Sequence, residues 1–288
     1  MKQWGVALAL CAAGWLLSAS AGCRRLEEPL RLKLPPPALE GMTLNPLAGG
    51  AKLERDREYT ILVRLQLITL ELPEGSTSHS EELWSYLNEE PVGARVSSAL
   101  WQNGIRVGLG READWPEIRQ ILSRLMAKSL YRWNMNHPPG DPVSVPLKKL
   151  QGVQTIFLLR PDRTLIGYDY PAGDNVLTLV PTIDYDNPAA VHVAGAVTIR
   201  SSRQRPQYVQ TPAGYVLTRR PVHYRLPTMD FGLLVPAGGF VLVGPSSAAE
   251  RESSPGAAFL IHEKDGVKFE KVLVILPEVF AAPVRPAD

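Results

Sequence analysis

The run Ala257-Ala258-Phe259-Leu260-Ile261-His262-Glu263-Lys264-Asp265-Gly266-Val267-Lys268-Phe269-Glu270-Lys271-Val272-Leu273-Val274-Ile275-Leu276 decides the fold. Asp-Gly at its centre accepts positive φ at both residues, which a two-residue hairpin needs if its turn is to match the twist of the flanking strands. On either side lie apolar runs, expected as strands over Ala257–His262 and Val267–Leu276. Working outward toward Val143, the same pattern of short apolar runs recurs, including Thr155–Leu159, Thr164–Tyr168, Val176–Val180, Val191–Ile199, Gln207–Gln210, Tyr215–Leu217, Val222–Leu226, Gly232–Val235 and Phe240–Val243. The 26 prolines and 23 glycines of the 288-residue chain punctuate these runs. Three Pro-Ala-Gly triplets, at Pro171, Pro212 and Pro236, suit tight turns with proline at the second position, and their unequal spacing marks recurring turn chemistry and not a repeat. About eleven short strands imply an antiparallel sandwich or barrel-like sheet over 143–280, followed by a disordered tail over 281–288.

Upstream the pattern mixes helix and strand. Tyr59–Leu70 sets Arg64 and Gln66 among apolar residues, as a strand with one better-buried face does. Ser80 before Glu81-Glu82 is a helix cap with acids where the helix dipole favours them, and Leu83, Trp84 and Leu87 form one apolar face. A second short helix over Ala94–Gln102 stops at Asn103-Gly104, and Ile105–Leu109 follows as a strand. Asp114-Trp115-Pro116-Glu117 opens a third helix whose stripe is Ile118, Ile121, Leu122 and Leu125. This β-α-α-β-α module over 57–135 makes the whole an α+β fold, the small module leading into the larger β-rich domain.

Met1–Cys23 has the parts of an export signal: a basic Lys2, an apolar run from Trp4 to Leu17, and small residues from Ser18 to Gly22. The apolar run of about 14 residues falls short of the roughly 20 that span a bilayer as a helix. Ser20-Ala21-Gly22-Cys23 resembles a bacterial lipobox, with Ser20 where leucine is commonest. The resemblance implies cleavage after residue 22 and acylation of the Cys23 thiol. Plain secretion and an uncleaved anchor are the other readings of the segment. Cys11 lies in the apolar run, so the body from Arg24 onward has no cysteine. It therefore forms no internal disulfide, and thiol catalysis and Cys-ligated zinc are excluded. Residues 23–56, with Pro35-Pro36-Pro37 and Gly49-Gly50, read as a lipid-anchored flexible tether. These features together imply export to the cell envelope. Arg24 after the cysteine, where aspartate marks inner-membrane retention in enteric lipoproteins, tilts the expectation to the outer membrane facing the periplasm.

No catalytic constellation is legible. The five histidines, His79, His137, His192, His223 and His262, show no HExxH spacing, and there is no G-x-S-x-G elbow or phosphate loop. Asp184-Tyr185-Asp186-Asn187 offers oxygen ligands for calcium, but its residue types suit a β-turn with local backbone bonds better. No catalytic residue, metal or cofactor is assigned, and a non-enzymatic role is the expectation.

With 45% hydrophobic and 21% charged residues and a net charge of +2, the composition is that of a globular protein. The charge is nevertheless segregated. Between Asn187 and Met229 there is no acidic residue, yet six arginines, Arg200, Arg203, Arg205, Arg219, Arg220 and Arg225, alternate with Tyr208, Tyr215 and Tyr224. On one face they would form a basic stripe for an anionic surface, lipid headgroups or envelope glycans in an exported protein and not nucleic acid. The other reading is a solvated outer sheet face balanced by Glu71, Glu74, Glu81, Glu82, Glu89 and Glu90. That balance also allows head-to-tail self-association.

Val63–Leu70, Val235–Gly244 and Lys271–Glu278 resemble strands of the bacterial secretin domain, in the same order, with Pro245 where a second glycine usually follows Gly244. Secretins are outer-membrane ring channels, and the resemblance implies an envelope secretion or assembly complex. Three functions thus stand: an anchored envelope lipoprotein with a binding or assembly role, a secretin-related component with envelope-protein partners, and a hydrolase of envelope material whose site forms only in three dimensions.

Overall fold

The structure, a computed structural model, describes residues 59–150, 152–211 and 214–283. The signal over 1–22, Cys23 and the tether lie outside the described residues. The elements in chain order are β1 (Tyr59–Pro73), α1 (Glu81–Ser85), α2 (Ala94–Gln102), β2 (Ile105–Gly110), α3 (Trp115–Arg124), β3 (Lys128–His137), β4 (Val143–Leu150), β5 (Gln154–Leu159) and β6 (Leu165–Tyr170). Then come β7 (Gly173–Ile183), β8 (Val191–Thr211), β9 (Gly214–Arg225), β10 (Phe231–Val235), β11 (Phe240–Pro245), α4 (Pro255–Leu260), β12 (Ile261–Lys264) and β13 (Val267–Pro283). The first sheet has the order β2-β11-β13-β1-β3, with β12 also on β13; the second has β10-β8-β7-β4, with β9 also on β8; β5 and β6 pair alone. All of these pairings are antiparallel. These are open sheets, and the barrel-like alternative is thereby corrected.

The first sheet is buried on both faces. Val63, Leu65 and Leu67 of β1 pack with Val241, Leu273 and Ile275 toward the second sheet, whose Val145, Leu177, Val193 and Leu233 complete that core. Ile68, Leu70 and Leu72, with Leu242, Val272 and Val274, face Leu83 and Trp84 of α1 and Ile118, Ile121 and Leu122 of α3. Double burial explains why β11 and the Val272–Leu276 stretch of β13 read as unbroken apolar runs, whereas β4 of the second sheet alternates buried and exposed. Strands from both sequence modules share this sheet: β1 pairs with β13 from Tyr59↔Pro283 to Pro73↔Phe269, and β2 with β11.

The Lys264-Asp265-Gly266 expectation holds, with Asp265 at φ 53° and Gly266 at φ 76° between Lys264↔Val267. The strand expected over Ala257–His262 is instead α4 up to Leu260, because Ser254 caps it, its Oγ accepting from Ala257 N at 3.1 Å, with Pro255 at the first helical position. Ser80 caps α1 by accepting from Leu83 N at 3.2 Å. Asp114 caps nothing with its side chain; it holds Arg111 at 2.7 Å. At the Pro236 triplet, Gly239 N donates to Pro236 O at 2.9 Å and Gly238 has φ 74°, so proline takes the first turn position and not the second. Residues 281–283, expected in the tail, belong to β13.

Candidate functional site

β8 runs for 21 residues and does two jobs. Val191–Ser201 pairs along β7 within the sandwich. Among the described residues only β9 accompanies it beyond Ser201, and the side chains from Ser202 to Tyr208 are all exposed. The strand leaves the sandwich at a bulge: Arg200 opposes His223, but the next pair is Gln204↔Pro221, so β8 carries two extra residues there. Such irregularities bend a strand and re-aim the residues beyond the bend. The bulge is pinned to the turn before β7, because Ser202 N donates to Ala172 O at 3.1 Å and Arg203 N to Ser201 Oγ at 3.0 Å. Past it, Gln204–Thr211 pairs with Gly214–Pro221 as a free-standing two-stranded arm.

The arm is segregated along its length. Near its base Arg205 lies directly opposite Arg220, and Pro206 opposite Arg219. Toward the tip come Tyr208↔Leu217, Val209↔Val216 and Gln210↔Tyr215. Directly paired residues share a face, and successive pairs alternate faces. One face therefore carries Arg205, Arg220, Val209 and Val216, and the other Arg219, Tyr208, Leu217 and Tyr215. The tip side chains are wet, with Tyr208 71%, Tyr215 73%, Val216 51% and Leu217 57% exposed.

The six arginines separate into two groups. Arg200 is tied to Asp174 of β7 at 2.6 Å and Arg225 to Asp230 at 2.8 Å, so these two serve the sandwich. Arg203, Arg205, Arg219 and Arg220 have no ion-pair partner among the described residues. The single stripe expected from sequence is thus a four-arginine collar, with Arg203 in the bulge at the base of the arm and Arg205, Arg219 and Arg220 on the arm itself, over both of its faces. Across from Arg200, His223 has its pKa lowered by burial and by the Arg200 guanidinium. The acids expected to balance the stripe are largely engaged internally. Arg106 holds Glu89 at 2.6 Å and Glu81 at 3.2 Å while stacking on Trp84, and Arg124 holds Glu82 at 2.5 Å.

A second polar cluster bears on the hydrolase reading. His262 Nε2 lies 2.6 Å from Glu71 Oε2, between strands β12 and β1, with its ring stacked on Phe269. Lys148 Nζ donates to Ile261 O at 2.8 Å, and Lys271 Nζ to Leu147 O. Burial pushes the His262 pKa down, more than the Glu71 carboxylate pushes it up, so the neutral ring donates to Glu71 near pH 7. His262 Nδ1 is buried without a partner, and among the described residues no hydroxyl is hydrogen-bonded to this imidazole. The pair lacks the nucleophile that a histidine-carboxylate dyad would activate. His192 and His223 lie on β8 and β9 of the second sheet, whereas His262 is on β12 of the first.

The buried carboxylate of Glu270 is likewise committed, accepting from Gly75 N, Thr77 N, Thr77 Oγ1, Ser78 N and Ser78 Oγ, which fixes the turn after β1. Asp184 Oδ1 accepts from Asp186 N at 3.0 Å, the turn chemistry expected there. Among the described residues no group of three or more His, Cys, Asp or Glu is placed to hold a metal ion, and no helix is long and apolar enough to cross a membrane.

No family model matches the sequence, and no curated protein does. Among solved structures, the chain is similar to the InvG secretin domain β-barrel of the Salmonella SPI-1 injectisome, at 9% identity and TM-score 0.22, over 81% of this chain and 66% of that one. It is similar to a chain of the ETEC pilotin-secretin AspS-GspD complex, at 11% identity and TM-score 0.21, over 79% and 50%. The third is the V. cholerae type IV competence pilus secretin PilQ, at 10% identity and TM-score 0.22, over 78% and 61%. This chain thus spans between half and two thirds of the length of each. Of the three stretches that carry the sequence resemblance, Val63–Leu70 on β1, Phe240–Gly244 on β11 and Lys271–Glu278 on β13 lie side by side in the first sheet, while Val235 ends β10 of the second.

Sequence reasoning finds the arginines and tyrosines but not the arm. The available signal is that Tyr208 and Tyr215 flank Pro212-Ala213-Gly214, with arginines outside them on both sides.

Proposed function

We propose that this protein is a non-enzymatic component of the cell envelope, anchored through acylated Cys23, that binds an anionic surface through the β8–β9 arm. The observation that carries the reading is the collar of four unpaired arginines on a projection that contributes nothing to the core. Directly opposed like charges, as at Arg205 and Arg220, destabilise a strand pair unless an anion lies between them. Guanidinium groups bind phosphate, sulfate and carboxylate in bidentate fashion, so the recognised chemistry is a polyanion.

Replacing Arg203, Arg205, Arg219 and Arg220 with glutamine is expected to abolish retention on an immobilised sulfated polysaccharide. Retention of the unaltered chain should fall as salt rises from about 0.05 to about 0.5 M, where screening acts within a few ångström. Equal retention of the two chains at low salt would overturn the reading. The anchor is tested separately: a metabolically supplied palmitate analogue should label the protein, and Cys23→Ser should remove the label.

A second reading, a secretin-related assembly component, is supported by the contiguity of β1, β11 and β13. It requires a ring-shaped oligomer that survives detergent, and a monodisperse monomer at all concentrations contradicts it.

A further inference from the structure

We propose that the anionic surface is a lipid bilayer, on which the arm docks with Tyr208, Tyr215, Val216 and Leu217 in the interface and its four arginines among the headgroups. This rests on the reading that the arm binds a polyanion, and it names which one. The collar alone does not choose between a soluble glycan and a membrane, but the tip does. A glycan bound at Arg205 and Arg220 would leave the two tyrosines, Val216 and Leu217 in water, where they are 51–73% exposed. A bilayer engages both zones, because exposed apolar side chains gain free energy on leaving water while the guanidiniums remain at the charged surface.

The geometry fits that division. From the Arg205↔Arg220 pair to the Val209↔Val216 pair is four residues, or about 13 Å along a strand. The polar layer of one leaflet is about 5–8 Å deep, so the tip can pass it while the collar stays at the headgroups. Tyrosine is the residue type that seats its ring at this level with the hydroxyl in the polar layer.

Depth is limited by the backbone. A lone two-stranded ribbon has two unpaired edges, which the hydrocarbon core does not tolerate, so the arm inserts shallowly and does not span. Pro206 and Pro221 each remove a backbone donor from the arm, which disfavours completing those edges with strands of a second copy.

The test uses the full-length chain carrying Cys11→Ser and Cys23→Ser, so that a single introduced thiol can be labelled with an environment-sensitive fluorophore. One probe is placed at the tip by Gln210→Cys and a reference probe by Tyr185→Cys, a loop position 84% exposed in the native chain. Vesicles are phosphatidylcholine with or without phosphatidylglycerol. The 210 probe is expected to shift to the blue and to be quenched by brominated acyl chains on phosphatidylglycerol vesicles only, while the 185 probe does neither. Substituting the four arginines with glutamine should reduce vesicle binding through the arm on the order of a thousandfold. Tyr208→Ser with Leu217→Ser should reduce it about tenfold or more, with retention on sulfated polysaccharide unchanged. A 210 probe that stays in water while polysaccharide retention persists overturns the lipid assignment and leaves the polyanion reading standing. If the arginine substitutions alter neither binding, both fall.

Discussion

Asn103 is the residue on which two segments meet. It is fully buried; its Nδ2 donates to Ala99 O at 2.9 Å and to Leu159 O at 2.8 Å, and its Oδ1 accepts from Leu159 N at 2.8 Å. One amide thereby ends α2 and ties the β5–β6 hairpin to the helix. Asn103→Ala leaves the half-buried backbone N–H and C=O of Leu159 without their side-chain partner and is expected to cost about 1–3 kcal/mol in urea denaturation. His262 gives a different residue-scale prediction. Its pKa is lowered by burial, and the cationic Lys271 of β13 and Lys148 of β4 act in the same direction, against Glu71 of β1. The unfolded chain therefore takes up a proton at this position at higher pH than the folded one does. Stability present above the ordinary value of about 6.5 should fall as pH drops through it and level off below the folded-state pKa. His223 is shifted the same way and contributes with the same sign. His262→Gln should flatten the decline in Tm between about pH 7 and pH 5 without removing it; an unchanged slope would exclude His262 as its source.

At the scale of elements, the arm and the sandwich are energetically separable. The side chains from Ser202 to Tyr208 are exposed, and the arm strands pair only with each other past the bulge. Replacing Arg205–Arg220 with an Asn-Gly turn is expected to change stability by no more than about 0.5 kcal/mol, read by urea denaturation, while eliminating polyanion retention. A large loss would show the arm to be part of the core. Legibility in the sequence divides along the same line, between local and distant causes. α1 is announced by Ser80, and the β12–β13 turn by Asp265-Gly266, because the residues that fix them lie within the element. α4 is equally announced by Ser254-Pro255, but its short apolar run reads the same in either period. The arm is hidden in two expected short strands, because nothing in Gln207–Gln210 says that its neighbour is Tyr215–Leu217 and nothing else. Likewise, Arg200 cannot be told from Arg203 until β7 places Asp174 beside it.

For the whole molecule, the consequential fact is that the two ends of the described chain pair in one doubly covered sheet. β1 lies between β13 and β3, and its side chains enter both the inter-sheet core and the helix-facing core. β2 has β11 as its neighbour in that sheet, and β11 comes after all strands of the second sheet in sequence. The 57–135 segment therefore carries elements whose apolar faces are completed from the other end of the chain. Pairing Tyr59 with Pro283 also closes a loop over nearly the whole described chain, an arrangement that delays the rewarding contacts until late in folding. A fragment of residues 57–142 is expected to lack the near-ultraviolet circular dichroism of packed aromatic residues and to exchange its amide hydrogens without protection. Mixing it with a fragment of residues 143–288 should restore both, since β11 and β13 then supply the missing neighbours. Protection of β1 amides in the isolated 57–142 fragment would instead establish the N-terminal segment as a folding unit in its own right, with β13 added to a sheet already formed.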